Sequence, residues 1–368
     1  MMKICVFVLG DGRAVHLQRI IPGLSERGLK IHVVSAKPGA VRGATAETFQ
    51  VPPRNLANPR GWRVRWRKHL AGFMRRFDVV HVHFLHDWGF TPEIMESGCF
   101  VATPWGSDIV APPGEGEPPA ELVAARVAML RHASAVTTWG PWFASAVGEY
   151  AGIDVERIEL LPLGVDPKLF HPAARANANG GPEFHVGFFK GFREVYGATY
   201  LIEAVPLVLE DLPQTRFHLV GDGPQLDDCR ALAQRLGVDA AIEWIPRQPH
   251  SRIPKLLAGW DLTVITSLRE SFGAAALESA AMRVPVVATR VGGLPETVRE
   301  GETGLLVPPE DPRAVADALV KLLNDHALRR RMGDAGRSLV EREYEWQGIL
   351  DKWVKTYETA AGRVAAVA

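Results

Sequence analysis

Short apolar, β-branched runs alternate along the chain with longer segments of helical period, and that alternation predicts an α/β architecture with mainly parallel sheets. Ile4 to Leu9 reads as a buried strand, and His16 to Arg27 as a helix closed by Gly28. Asp78 to His83, Phe100 to Thr103, Ala135 to Thr138 and Ile158 to Leu161 continue the strands that Ile31 to Ser35 begins. From His171 to Pro182 the chain is rich in Ala, Asn, Gly and Pro and has no period, which marks a linker. A second series follows: Phe184 to Phe189, Arg216 to Val220, Ala241 to Ile245, Leu262 to Thr266 and Val286 to Thr289. Two Rossmann-like units, 1–170 and 183–345, are therefore expected on either side of a linker, 171–182, with a cleft between them. In 346–368, Trp346, Ile349, Leu350, Trp353 and Tyr357 share one helical face.

Composition narrows this picture. A chain of 368 residues accommodates two cores of ordinary size. Its 47% hydrophobic and 23% charged residues suit a soluble globular protein. A formal net charge of zero and the lack of a recognisable module argue against nucleic acid as a partner. Cys5, Cys99 and Cys229 are far apart and outside metal-ligand spacing, as expected of buried thiols in a reducing cytosol. The apolar start stops at Gly10-Asp11-Gly12, too short for a signal peptide, and no later run reaches ~18 apolar residues. A cytoplasmic protein is expected.

One local patch departs from that neutrality. Arg60, Arg63, Arg65, Arg67, Lys68, Arg75 and Arg76 interleave with Trp62, Trp66, Leu70, Phe73 and Phe77, an apolar stripe on a basic helix. Two accounts fit it: peripheral contact of 60–77 with an anionic membrane face, or packing of the stripe on the first sheet with solvated charges.

The candidate chemistry gathers after Asp261 to Ile265. There a loop carrying Gly273 leads into an Ala-rich helix, Ala274 to Met282, stopped by Val284-Pro285. Strand, glycine loop and helix N-terminus make an anion site, because unbonded N–H groups and the helix dipole converge on the loop. Glu278 follows Glu270 by eight residues, about two turns if both are helical. Such a pair can grip two hydroxyl-bearing parts of one anionic ligand such as a nucleotide sugar; a solvated pair on a surface helix is the competing account. Neither Gly10-Asp11-Gly12 nor Gly221-Asp222-Gly223 completes a dinucleotide fingerprint, whose third glycine is Val15 or Leu226 here. His81, His83 and His86 lack metal-ligand spacing, and alternation turns the first two to one face of a strand.

The run Ser267-Leu268-Arg269-Glu270-Ser271-Phe272-Gly273 and the blocks after it resemble the C-terminal half of glycosyltransferase family 4 (group 1 glycosyltransferases), retaining enzymes of GT-B fold. Those blocks are Leu277-Glu278-Ser279-Ala280, Val284 to Thr289, Gly292-Gly293-Leu294-Pro295-Glu296, Gly301 to Val307 and Asp311-Pro312. The resemblance implies two Rossmann-like domains facing a cleft, a terminal helix crossing back to the first, and metal-independent transfer by a front-face mechanism without a cofactor. The donor is then a nucleotide sugar, a UDP-sugar before a GDP-sugar, and the acceptor a sugar, lipid-linked glycan or small molecule. Glu270 would hold donor-sugar hydroxyls and Glu278 the ribose, with Ser271, Phe272, Gly273, Ala274 and Gly12 lining the donor site.

Of two basic positions in the family, Lys190 fills the first, whereas Tyr196 stands at the second; Arg193 is the candidate for the missing cation. Trp105-Gly106-Ser107-Asp108 carries Trp105 where many relatives have His. His16, Trp105 and Asp108 are the acceptor-side candidates, and a helix N-cap accounts equally well for Asp108. Glu270, Lys190, Arg193 and Asp108 form the expected catalytic set. Base recognition is expected along the backbone from Trp244 to Arg247. An epimerase of the same fold and a non-catalytic nucleotide-sugar binder are the alternatives.

Overall fold

Strands that are apolar on both faces belong inside a sheet covered by helices on each side, which is how parallel sheets are built. The computed structural model describes residues 1–11, 15–37, 41–48, 72–85, 98–111, 116–172 and 183–366. Two compact units result, Met1–Pro162 with Gln347–Ala368, and Leu163–Trp346.

The first unit has a parallel sheet of β1 (Lys3–Asp11), β2 (Lys30–Lys37), β3 (Ala44–Thr48), β4 (Val79–His83), β5 (Cys99–Thr103), β6 (Ala135–Thr138) and β7 (Ile158–Leu160). Their order is β3-β2-β1-β4-β5-β6-β7. Helices α1 (Val15–Glu26), α2 (Ala120–His132) and α3 (Pro141–Ala151) belong to it. Every residue of β4 is buried, including His81 and His83 on one face. The His81 ring is satisfied by Tyr357 Oη at 2.8 Å and Thr103 Oγ1 at 2.6 Å. Burial, reinforced by His83, holds His81 well below the usual imidazole range, so it is neutral.

The second unit has β8 (Phe184–Phe188), β9 (Thr215–Val220), β10 (Ile242–Ile245), β11 (Leu262–Ile265), β12 (Val286–Thr289) and β13 (Gly304–Val307), all parallel, in the order β10-β9-β8-β11-β12-β13. Its helices are α4 (Ala198–Asp211), α5 (Leu226–Arg235), α6 (Ile253–Ala258), α7 (Ala274–Ala281), α8 (Leu294–Thr297), α9 (Pro312–Asn324) and α10 (His326–Glu343). The last helix, α11 (Trp346–Ala365), brings Ile349, Leu350, Trp353 and Tyr357 to the first unit, each at most 2% exposed. Gly23 of α1 makes room for Leu350, since a Cβ there would lie 2.4 Å from its Cδ1.

One expected boundary moves, and two features add to the sequence reading. Residues 163–172 pack with the second unit: Val165 N donates to Tyr344 O at 2.9 Å, and Arg337 Nη1 to Phe170 O at 2.8 Å. The first unit therefore ends at Pro162, not at residue 170, while 173–182 of the expected linker lie outside the described residues. The edge strands β3 and β13 are not among the expected strands: β3, Ala-Thr-Ala-Glu-Thr, has no apolar run, and β13, Gly-Leu-Leu-Val, carries one β-branched residue. Of the basic stripe, 60–71 lie outside the described residues. Its Phe73 and Phe77 rings sit 5.4 and 5.6 Å from His32 of β2, so this end is turned inward. Among the described residues no helix is long and apolar enough to cross a membrane.

Candidate functional site

Strand order in the second sheet reverses between β8 and β11, and open α/β sheets bind ligands beyond the carboxyl ends of the strands at such a point. Lys190 stands just past β8, and the segment bearing Glu270 leaves β11. Lys190 Nζ donates to Glu270 Oε2 in a salt bridge whose side chains are only 14% and 13% exposed. The ammonium also lies 4.9 Å from the Tyr196 ring centroid, a cation–π contact. Burial pulls the Lys190 pKa down, but Glu270, Tyr196 and Glu278 together outweigh it, so the lysine is held above its ordinary value and charged. The Tyr196 ring thus stands against the cation that the second basic position of the family would have supplemented.

Backbone packing fixes the Glu270 loop. Gly292 has φ of 52°, and a Cβ there would come within 1.9 Å of Glu270 O. Gly293 N donates to that same carbonyl at 2.9 Å. Glu270 is therefore a loop residue, and its spacing to Glu278 is not two turns of one helix. Gly273, at φ of 97°, is the N-cap of α7, a left-handed position that disfavours side chains. The first-turn N–H groups of α7 point back toward this loop, as in any helix N-terminus.

Glu278 is not a solvated surface carboxylate. It is 7% exposed, and its Oε1 lies 2.7 Å from His250 Nε2. His250 opens a 3-10 turn, His250–Arg252, and its ring centroid is 5.3 Å from that of Phe170. His250 does not belong to the motifs that carry the family resemblance; its position between Pro249 and Pro254 is the available sequence signal. Beyond the ends of β9 and β10 lies a cavity of about 330 Å³ lined by Phe192, Asp222, Arg230, Trp244 and Arg247 among others. The Arg230 guanidinium stands 5.7 Å over the Trp244 ring.

This arrangement offers one charged lysine, two carboxylates, a helix N-terminus and a cavity with Phe192 and Trp244 in its lining, all beyond the carboxyl ends of one sheet, which is the chemistry of a phosphorylated, polyhydroxylated ligand. The family models agree with it. Glycosyl transferases group 1 matches residues 174–339, and Glycosyltransferase Family 4 matches residues 10–169. The chain belongs to the group 1, family 4 glycosyltransferases.

A D-inositol 3-phosphate glycosyltransferase of Corynebacterium glutamicum (strain R) is 35% identical to this chain over 223 residues, covering 56% of this chain and 53% of that protein. The chain thus spans about half the length of that relative. A glycogen synthase of Mycobacterium tuberculosis (strain ATCC 25618 / H37Rv) is 28% identical over 293 residues, covering 77% of this chain and 69% of the synthase. Among solved structures, Anabaena Alr3699/HepE in complex with UDP aligns with a TM-score of 0.80 at 20% identity, covering 98% of this chain and 100% of that one. The fold of this chain is accordingly GT-B, with a Rossmann-like parallel sheet in each unit.

The remaining expected residues fall into distinct places. Ser271 and Ala274 are half-buried beside Glu270 and Gly273, whereas the Phe272 ring turns inward, 5.9 Å from Tyr344. Phe272 therefore packs the interior, and only its backbone remains available to a donor. Arg193 is exposed on the loop between β8 and α4. In the first unit, Gly12 lies outside the described residues, and His16 belongs to α1 with its side chain likewise outside them. Trp105 Nε1 donates to His83 Nδ1 at 3.2 Å. Asp108 is 0% exposed, and its oxygens accept from Leu85 N, Trp105 N and Gly106 N at 2.8–2.9 Å. Burial raises its pKa although these donors oppose the rise. Asp108 thus braces backbone instead of presenting its carboxylate to an acceptor, and it sits in a turn, not at a helix N-cap. His86 lies outside the described residues, and among those described no group of three or more His, Cys, Asp and Glu is placed to hold a metal.

Proposed function

We propose that this chain transfers a sugar from a nucleoside-diphosphate donor to an acceptor hydroxyl with retention of anomeric configuration. The observation that carries this reading is the Lys190–Glu270 pair, set at the switch point of the second sheet beside the N-terminus of α7. As the bond from the anomeric carbon to the diphosphate breaks, negative charge grows on the phosphate. Lys190 and the first-turn N–H groups of α7 meet that charge in a shielded site, where such stabilisation is the largest contribution to rate. Glu270 accepts from hydroxyls of the donor sugar and Glu278 from the ribose. The acceptor oxygen forms its bond on the face the diphosphate leaves, and its proton passes to the departing phosphate oxygen. No cofactor or metal is assigned a part, because Lys190 and the helix terminus supply the positive field.

The cavity bounded by Trp244 and Arg247 is assigned to the base. UDP is the preferred nucleotide, supported by the HepE structure with UDP. A sugar, lipid-linked glycan or small molecule is the acceptor class. Calorimetry with UDP, GDP, ADP, dTDP and their sugars tests the donor assignment on the wild type and on Glu278→Ala. One nucleotide, UDP, is expected to bind, with affinity lost in Glu278→Ala. Absence of nucleotide binding by the wild type would remove the donor site from the second unit.

A further inference from the structure

We infer that His250 is a positioning residue for the donor, holding Glu278 in the orientation that accepts from the two ribose hydroxyls. The inference rests on the assignment of Glu278 to the ribose and adds a residue outside the motifs that define the family. An ionised carboxylate has about four acceptor directions over its two oxygens. A hydrogen bond from His250 Nε2 to Oε1, 2.7 Å long, fixes the carboxylate plane and uses one of those directions. Held in one plane, the carboxylate can meet a vicinal diol with two parallel acceptors.

His250 is itself held by its turn and by a buried ring. It opens the 3-10 turn in which Arg252 N donates to Pro249 O at 2.8 Å and Ile253 N donates to His250 O. The Phe170 ring, fully buried, packs at 5.3 Å with its plane tilted 57° from the imidazole. Arg337 Nη1 donates to both Phe170 O, at 2.8 Å, and Ala281 O at the end of α7, at 2.9 Å. The support for the imidazole and the helix bearing Glu278 are therefore tied to one buried guanidinium. The side chain of His250 is 20% exposed and that of Glu278 is 9% exposed, so the bond is shielded but stays within reach of a ligand. A precise second group behind a ligand-binding carboxylate is worth having only if the direction of that carboxylate matters to the ligand.

The test measures affinity for UDP and 2′,3′-dideoxy-UDP by calorimetry, on the full chain as wild type, Glu278→Ala, His250→Leu and His250→Gln. Thermal melts confirm that each variant is folded. Wild type is expected to prefer UDP to the dideoxy nucleotide by about tenfold or more, the scale of one or two hydrogen bonds to a charged acceptor. Glu278→Ala is expected to erase that preference. His250→Leu should lose most of the preference while leaving dideoxy affinity unchanged, and His250→Gln, which restores an N–H donor, should recover much of it. If wild type shows no preference, or Glu278→Ala keeps it, the ribose assignment itself fails and the role of His250 with it. If those two behave as expected but His250→Leu retains the preference, or weakens both nucleotides equally, the positioning role is overturned and the donor site stands.

Discussion

Lys190 is a shielded cation paired with Glu270, and its surroundings make a pH dependence of definite sign. Its folded-state pKa is raised, because Glu270, Tyr196 and Glu278 outweigh the opposing effect of burial. A group raised on folding contributes stability that is fully present below its unfolded pKa, about 10.4 for lysine, and lost as pH climbs through the folded value. Lys190→Met is therefore expected to remove part of the alkaline decline in stability, read from urea unfolding between about pH 10 and 12. Its kcat is expected to fall by about 10²–10³, the scale of losing one preorganised donor to a developing oxyanion. A variant with normal kcat would move the phosphate-binding role elsewhere. Lys190 and Glu270 were legible in the chain because each follows a strand in a short motif, and Glu278 because it stands in the helix that continues the Glu270 motif. The contact of Lys190 with Tyr196 and the bond of Glu278 to His250 were not, since the first depends on how one loop folds back on itself and the second on how the 3-10 turn at His250 meets α7.

At the scale of elements, the turn leaving β4 shows how an apparent ligand becomes a brace. Phe84 has φ of 64°, a left-handed conformation unfavourable for a bulky residue. The next residue is gripped at both ends: Leu85 N donates to Asp108 Oδ2 at 2.8 Å, and Leu85 O accepts from Arg126 Nε of α2 at 2.7 Å. Asp108 and Arg126 are both buried, so neither bond competes freely with water. Asp108→Ala leaves three backbone N–H groups without their acceptor, at about 1–3 kcal/mol for each group that finds no other partner. The expected outcome is a loss of several kcal/mol in the urea unfolding of the first unit, followed by tryptophan fluorescence. Unchanged stability with weakened acceptor binding would return Asp108 to the substrate. The strands of both sheets were readable wherever β-branched residues ran together. The edge strand β3 was not, because its sequence, Ala-Thr-Ala-Glu-Thr, carries no matching apolar run.

Across the whole molecule the two units differ in how the chain supplies them. The second unit is continuous, Leu163–Trp346, and the first is assembled from Met1–Pro162 and Gln347–Ala368. A fragment 163–346 is therefore expected to fold and to bind UDP with calorimetric affinity near that of the full chain. Chain 1–346, lacking Trp353 and Tyr357, is expected to lose the cooperative transition of the first unit, since removal of one such buried aromatic costs about 3–5 kcal/mol. Failure of the fragment to fold, or an intact first transition in the truncated chain, would contradict this division. The boundary at Pro162 was not readable from composition, which marked the Ala/Asn/Gly/Pro-rich stretch after it; what sets it is the backbone pairing of Val165 with Tyr344 and the grip of Arg337 on Phe170. The split supply also orders events on the ribosome. Residues 347–368 emerge only after all of the second unit has been made, on the order of ten seconds or more later at ordinary synthesis rates. Throughout that interval the nascent first sheet lacks the tyrosine that satisfies His81 and the indole beside it. The newborn chain thus carries one finished half and one half that waits with an open aromatic seat, which is the surface a chaperone would find.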